Sequence, residues 1–564
     1  MKSRGKAWSL RRRLLQPLLL LATVLVALAF IVTSLQQEPA LPNTLRPAAC
    51  YSQPDFQQTL ALVNQQMDTA RQAAGVSVSP PAEPLAVARR IALGLVGSGL
   101  SLEEVRALEQ LPADQQVASW TTYLLQDRRW ADYFAERFSR VYVGTQNGPF
   151  LLFRRRKLNT WLADQFQRGH GYDEVARELL SAQGLWTDTP QVNFVTATMD
   201  EGQQGRSDPI RLAGRTSRAF LAQRIDCLQC HDDYLGQLNF GTVDDPVSGL
   251  QEHFHSLAAF FAGTAVAEVP FRGITEDHRP YRYQPLGEGS EQRLAPAVPF
   301  APDLLPSAGS PRSRLAHWVT HPENKAFSRA TVNRVWSLMF SRPLVAPVDS
   351  IPLDAALPPV LDTLAEDFAA HGFDLRRLIH LIVSSDAFQR QSRADFEISE
   401  LHEAAWAVFP VTQLRPEQVA GSILQACKLT AIDASSSIFT RLATYFQTRD
   451  FLKRFGDRGQ EEGESQAVTV TIPQRLVLMN GKLVAERTKS NLVLNASTRI
   501  GALVTDDDRA VEAVYLSVFN RRPSASEQQQ LTQHLSGKKG KQRQQALRDI
   551  YWAMINSTEF SWNH

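Results

Sequence analysis

Residues 130–143, WADYFAERFSRVYV, bring a large apolar side chain back at every helical turn: Trp130, Phe134, Phe138 and Tyr142 are separated by Asp, Glu, Arg and Ser. One apolar stripe on an otherwise charged segment predicts an amphipathic helix that buries a single face. The same period recurs upstream in AVARRIALGLV, SLEEVRALEQL and QVASWTTYLLQ, and downstream in YDEVARELLSAQG. After Pro311 it resumes in FSRATVNRVWSLMF, VLDTLAEDFAAHG, DLRRLIHLIVSSDAFQ, RPEQVAGSILQACKL and DDDRAVEAVYLSVFNR. The expected fold is therefore mainly α. Its end signals agree: Ser101 followed by Glu104 is a capping-box pattern, Asp173 falls in a first turn, and Asp506–Asp508 read as a cap and first turn.

Punctuation divides the chain. Eight prolines and several glycines lie between Pro270 and Pro311 without sustained periodicity, which predicts an irregular connection between two helical lobes. The expected organisation is a basic flank and signal anchor over 1–35, then a tether with one short helical segment over 36–85. A helical domain over 86–269, an irregular linker over 270–312 and a second helical domain over 313–564 complete it. At 564 residues, more than one domain is the ordinary expectation.

The anchor rests on Lys2, Arg4, Lys6 and Arg11–Arg13, which precede an uncharged apolar run from Leu14 to Leu35. Such a helix is long enough to cross a hydrocarbon core of about 30 Å, with the basic flank in the cytoplasm and the remainder outside. Cleavage after Ala27-Leu28-Ala29 is the rival reading and would release a secreted protein. Both export the bulk of the chain. A formal net charge of +2 with 21% charged residues gives no basic surplus for nucleic acid.

Export changes how cysteine is read, because thiols outside the cytoplasm tend to be oxidised, ligated or covalently occupied. The chain has four, and two of them lie in DCLQCHDD, Asp226–Asp233. Cys227 and Cys230 followed by His231 have the spacing for covalent haem c: each thiol forms a thioether to one edge of the porphyrin, and the next imidazole reaches iron as the proximal ligand. His253, His255 or Met199 would be the distal ligand. Zinc held by Cys227 and Cys230 with His253 and His255 is the main alternative, and a redox dithiol is a third. Phe220, Tyr234, Phe254, Phe260 and Phe261 are candidate haem walls or ordinary core. Cys50 and Cys427 remain as a disulfide candidate or as two unpaired thiols. Nucleotide-binding loops, nucleophile elbows and H-E-x-x-H are absent, so no residue is singled out as catalytic.

The motif and its neighbours, RAFLAQRIDCLQCHDD, HFHSLAAFFAG, RLAHWVTHPENKAFSRATVNRVWSLMFSRPLVAPVD and TIPQRLVLMNGKLV, resemble a known pair of domains. These are the planctomycete cytochrome-type domain, domain of unknown function 1549, followed by the planctomycete-specific domain, domain of unknown function 1553. The resemblance runs from about Ala86 to Phe560. It implies an exported, cytochrome-like protein without an established activity, whose companion is a secreted, sulfatase-like protein. Where the family has His-Asp-His, this chain has His231-Asp232-Asp233; where the family has Asp-Tyr-Tyr, it has His253-Phe254-His255. Haem attachment needs only the first of those histidines, whereas a zinc site using both would have to recruit His253 or His255. The function expected is that of a membrane-anchored, exported monohaem protein in electron transfer or redox sensing, served by a redox partner. The alternative is a non-enzymatic interaction module with a zinc or disulfide site.

Overall fold

Asp127 starts the decisive helix: its carboxylate accepts the Arg129 N–H at 2.8 Å, and the helix Arg128–Val143 runs to Gly144, whose φ of 67° ends it. Trp130, Phe134, Phe138 and Tyr142 form a ring ladder along its buried face, at centroid separations of 5.5, 6.0 and 6.0 Å. Phe166 on the helix Arg155–Arg168 closes against Phe138 at 5.5 Å, and Phe220 stacks on Tyr142 at 5.2 Å. Each such ring removes apolar area worth roughly 1.5 to 3 kcal/mol from water. This is why the helix anchors a core rather than lying on the surface.

The computed structural model describes residues 45–564 other than 145–152, 200–205, 243, 268–272, 288, 354, 433–437, 456–471 and 492–494. The fold is mainly α, with three two-stranded antiparallel pieces of sheet among the described residues. The anchor expected over Leu14–Leu35 lies outside the described residues. Among those described, no helix is long and apolar enough to cross a membrane. The capping signals appear as read: Ser101 and Glu104 exchange side-chain and backbone bonds, and Asp506 accepts the Arg509 N–H at 2.8 Å. Asp507 pairs with Arg543 and Asp508 accepts from Thr532, so the triple Asp is a cap with its own partners.

The described part of 270–312 is more regular than its prolines suggest. Ile274–Glu276 pairs with Thr264–Val266, and Tyr281–Tyr283 pairs with Gln292–Leu294, Tyr281 facing Leu294. None of the described prolines falls within these four strands, so none removes a ladder donor.

Apolar packing runs across this segment. The helices Pro311–Val319, Lys325–Phe340, Pro359–Ala370 and Leu375–Ser384 contribute to the same core as the earlier helices, which extends from Phe56 to Phe409 and takes in Leu516. Tyr172 stacks on Phe327 at 5.4 Å, and Phe327 meets Phe373 at 5.4 Å. A second core is built mainly between Leu414 and Phe560, taking in Val419, Ile423, Val514, Leu547 and Ile555, and Leu93 reaches into it from the earlier helices. The two meet where Gln418 donates to the Leu93 carbonyl at 2.9 Å and where Gly421 passes the Gly97 carbonyl so closely that a Cβ would collide.

Candidate functional site

The motif lies on a single tight turn. Ile225 and Leu228 are fully buried and pin it, while Cys227 and Cys230, on either side of Leu228, are exposed. The 3-10 turn Asp226–Gln229 ends with the Cys230 N–H donating to the Cys227 carbonyl at 3.3 Å. Gly249 lies against Leu228 from the other side, where a Cβ would press on its methyl groups at 3.2 to 3.3 Å.

The helix Gln251–Ala259 is bolted to this turn. Asp232 accepts the Gln251 N–H at 2.7 Å, satisfying a free donor of the helix start. The Gln229 carbonyl, midway between the cysteines, accepts from Gln251 Nε2 at 3.0 Å and from His255 Nε2–H at 3.1 Å. His255 Nδ1 then accepts from the Tyr281 hydroxyl at 2.8 Å, and Tyr283 stacks on the ring at 4.3 Å. Burial pushes the His255 pKa down, which favours this neutral form. His253 is used differently: its Nδ1 accepts the Leu250 N–H at 3.0 Å, and burial also lowers its pKa.

These bonds bear on each chemistry read from sequence. His255 has both ring nitrogens committed and His253 has one, and no three His, Cys, Asp or Glu side chains among the described residues gather as a metal-binding group. The tetrahedral set of Cys227, Cys230, His253 and His255 is therefore not assembled. His255 is a brace for the turn rather than a free ligand. Burial, seconded by the Asp233 charge, raises the Cys227 thiol pKa, the opposite of what a redox dithiol needs.

The expected proximal ligand is placed differently. His231 is exposed and its Nδ1–H donates to the Asp232 carbonyl at 2.8 Å, which leaves Nε2 as the basic nitrogen. Metal-bound histidines are oriented by such a bond. The Tyr234 ring stacks beside His231 at 6.0 Å and is 77% exposed, with Leu235 80% exposed next to it. Phe220, Phe254, Phe260 and Phe261 are instead fully buried core, as is Met199. Of the candidate walls, only Tyr234 offers a free face.

All four cysteines are free. Cys50 packs against the first core and Cys427 is buried in the second, so the structure does not join them. Both thiols are raised by burial, Cys427 to about 12.

Two family models match. The one described as Protein of unknown function (DUF1549) covers residues 62–265, and Protein of unknown function (DUF1553) covers 311–535. The chain is a DUF1549 domain followed by a DUF1553 domain. No curated protein and no solved structure matches it. The whole Cys227–His255 site belongs to the DUF1549 domain, while Tyr281 and Tyr283, which hold His255, lie between the two matched regions.

Sequence reasoning missed Gln251, Asp232 and the two tyrosines. Gln251 and Asp232 carry a weak signal, a carboxylate and an amide flanking a helix start. Tyr281 and Tyr283 carry one in retrospect, since their i, i+2 spacing places both on one face of a strand.

Proposed function

We propose that the chain is a c-type monohaem protein, exported and held at the outer face of the cytoplasmic membrane, acting in electron transfer or redox sensing. Cys227 and Cys230 would hold the porphyrin through thioethers and His231 Nε2 would ligate the iron. Bound there, the haem would supply a one-electron couple.

The observation that carries this reading is the state of His231. Its Nδ1–H is already given to the Asp232 carbonyl at 2.8 Å, one residue after two exposed thiols on a turn braced by Gln251 and His255. The brace holds the backbone that carries both sulfurs, and the Asp232 bond selects the tautomer that a metal needs. A thiol that adds to a vinyl group under maturation machinery has no need of a depressed pKa, so the raised Cys227 pKa suits attachment better than redox exchange.

The test is expression with export and c-type haem-maturation machinery, followed by a haem stain of a denaturing gel. The wild-type band should stain at the mass of the chain, and Cys227→Ser/Cys230→Ser should not. An unstained wild-type band in cells whose own c-type cytochromes stain would end the haem reading.

A further inference from the structure

Three cations are brought together at the edge of the second core. Lys428 directly follows Cys427, Arg487 ends the helix Lys482–Arg487, and Arg499 lies one turn into the helix Ala496–Leu503. Hydrogen bonds fix these segments to one another. The Ala496 N–H donates to the Cys427 carbonyl at 2.8 Å, and the Asn495 side chain donates to the carbonyls of Glu486 at 3.2 Å and Lys489 at 2.7 Å. Cys427, Val484, Ala496 and Ile500 belong to the core beneath. Arg487 is 8% exposed, and Lys428 and Arg499 are half-buried. Burial, and then the charges of Arg487 and Arg499, push the Lys428 pKa down, as expected of three cations within range of one another. Among the described residues no carboxylate pairs with any of the three: Arg487 donates to Gln447 Oε1, and Glu486, whose charge reaches Arg487, is turned to Gln447 at 3.5 Å and to Lys482 at 3.8 Å. Nε of Arg487, Nε of Arg499 and the hydroxyl of Ser497, in the first turn beside Arg499, are buried without a hydrogen-bond partner there.

Cations drawn out of water and toward one another cost free energy unless a counter-charge lies beside them. Elsewhere the chain supplies it, as Glu104 does for Arg129 at 2.7 Å and Glu417 for Arg137 at 3.0 Å. We infer that Lys428, Arg487 and Arg499 form a binding site for a phosphate group, free or carried on a monoester. Such a group brings close to two negative charges at neutral pH and presents oxygens in several directions, which suits donors arriving from three separate segments. Each guanidinium can take two of those oxygens, and Lys428 acts as a point charge. The helix Ala496–Leu503 starts between Cys427 and Arg499, so its dipole favours the same sign of ligand. The site lies in the DUF1553 region, and the inference goes beyond the haem reading without needing it.

Inorganic phosphate is titrated calorimetrically into the full exported chain, with chloride at matched ionic strength as the counter-probe. Expected is one saturable site for phosphate and none for chloride, with a melting temperature that rises in phosphate alone. Phenyl phosphate is the second arm: binding as tight as that of phosphate marks a monoester site, and its rejection a site for the free ion. Lys428→Gln and Arg499→Gln should each weaken binding about tenfold, the worth of one charge-assisted hydrogen bond. Arg487→Gln should weaken it as well, and the two half-buried positions decide the matter if that variant fails to fold. Lys539→Gln/Lys541→Gln, which removes exposed cations elsewhere, should bind as wild type. Absence of saturable phosphate binding, unchanged affinity in both Lys428→Gln and Arg499→Gln, or an equal loss in Lys539→Gln/Lys541→Gln would each overturn the site. Glu461→Gln/Glu462→Gln/Glu464→Gln, in an acidic stretch of the same region, should also bind as wild type. Phosphate binding that appears only in that triple variant would make the chain's own carboxylates the counter-charge and would equally overturn it.

Discussion

Asn520 clasps the backbone of Leu100 on both sides: Leu100 N–H donates to its Oδ1 at 3.0 Å, and its Nδ2 donates to the Leu100 carbonyl at 2.9 Å. The pair joins the DUF1553 region to the DUF1549 region and is fully buried. Asn520 has φ of 55°, a left-handed conformation that Asn tolerates better than most residues. Asn520→Ala leaves a buried donor and a buried acceptor without partners, and is expected to cost about 2 to 4 kcal/mol. Chemical denaturation of both proteins checks this; a loss below about 1 kcal/mol would mean that water enters and replaces the amide.

Glu417 lies between Arg137, at 3.0 Å, and Arg415, at 3.2 Å, where the helix Pro416–Ala426 meets the decisive helix. The two guanidinium groups hold its carboxyl below the ordinary range against the burial that raises it. Glu417→Ala removes one carboxylate from two largely buried cations, an expected loss of about 3 kcal/mol. Glu417→Gln should recover part of it by keeping hydrogen bonds, and urea titration ranks the three proteins.

His380 is buried, shares a hydrogen bond with the Tyr51 hydroxyl at 2.8 Å, and is pushed down to about 4 by burial and by Arg376. The unfolded chain takes up that proton near pH 6.5, whereas the folded protein refuses it until about pH 4. Between those values the unfolded state binds more protons, so stability is full above pH 6.5 and falls as pH drops toward 4. The shift corresponds to on the order of 3 kcal/mol for this one group. His564, also pushed down to about 4, adds to the same window. Melting curves from pH 7 to about pH 4 should fall less steeply for His380→Gln than for wild type; parallel curves would remove His380 from the account.

Asp233 stands where the family resemblance leads one to expect histidine. Its carboxylate accepts the Leu235 N–H at 3.2 Å and the Leu238 N–H at 2.5 Å, so it folds the loop that presents Tyr234. Asp233→His cannot accept both, and amide exchange at Leu235 and Leu238 should quicken by about fivefold for each bond of about 1 kcal/mol lost. Protection equal to wild type would show that the loop is held by the Gly249 carbonyl alone.

Much of the fold was legible because helix formation is decided locally. The stripe Trp130-Phe134-Phe138-Tyr142, the Ser101–Glu104 box and the Asp506 cap each depend on residues within a few positions of one another. The motif Cys227-x-x-Cys230-His231 was legible for the same reason. The strands at 274–294 were not, since three-residue strands amid prolines have too few alternations to show a period.

Sequence alone determined that the chain is helical, that its two family-matched regions part between 265 and 311, and that two thiols and an imidazole fall on one short turn. Only the tertiary structure decided that His255 is a brace, because its partners, the Gln229 carbonyl and Tyr281, lie 26 residues away on either side. It likewise decided that most of the two apolar cores part near Leu414, far beyond the matched border, with Leu93 and Leu516 crossing between them. Side-chain spacing specifies which face of a helix is apolar, but which other face covers it depends on contacts hundreds of residues distant, and those exist only once the chain has packed.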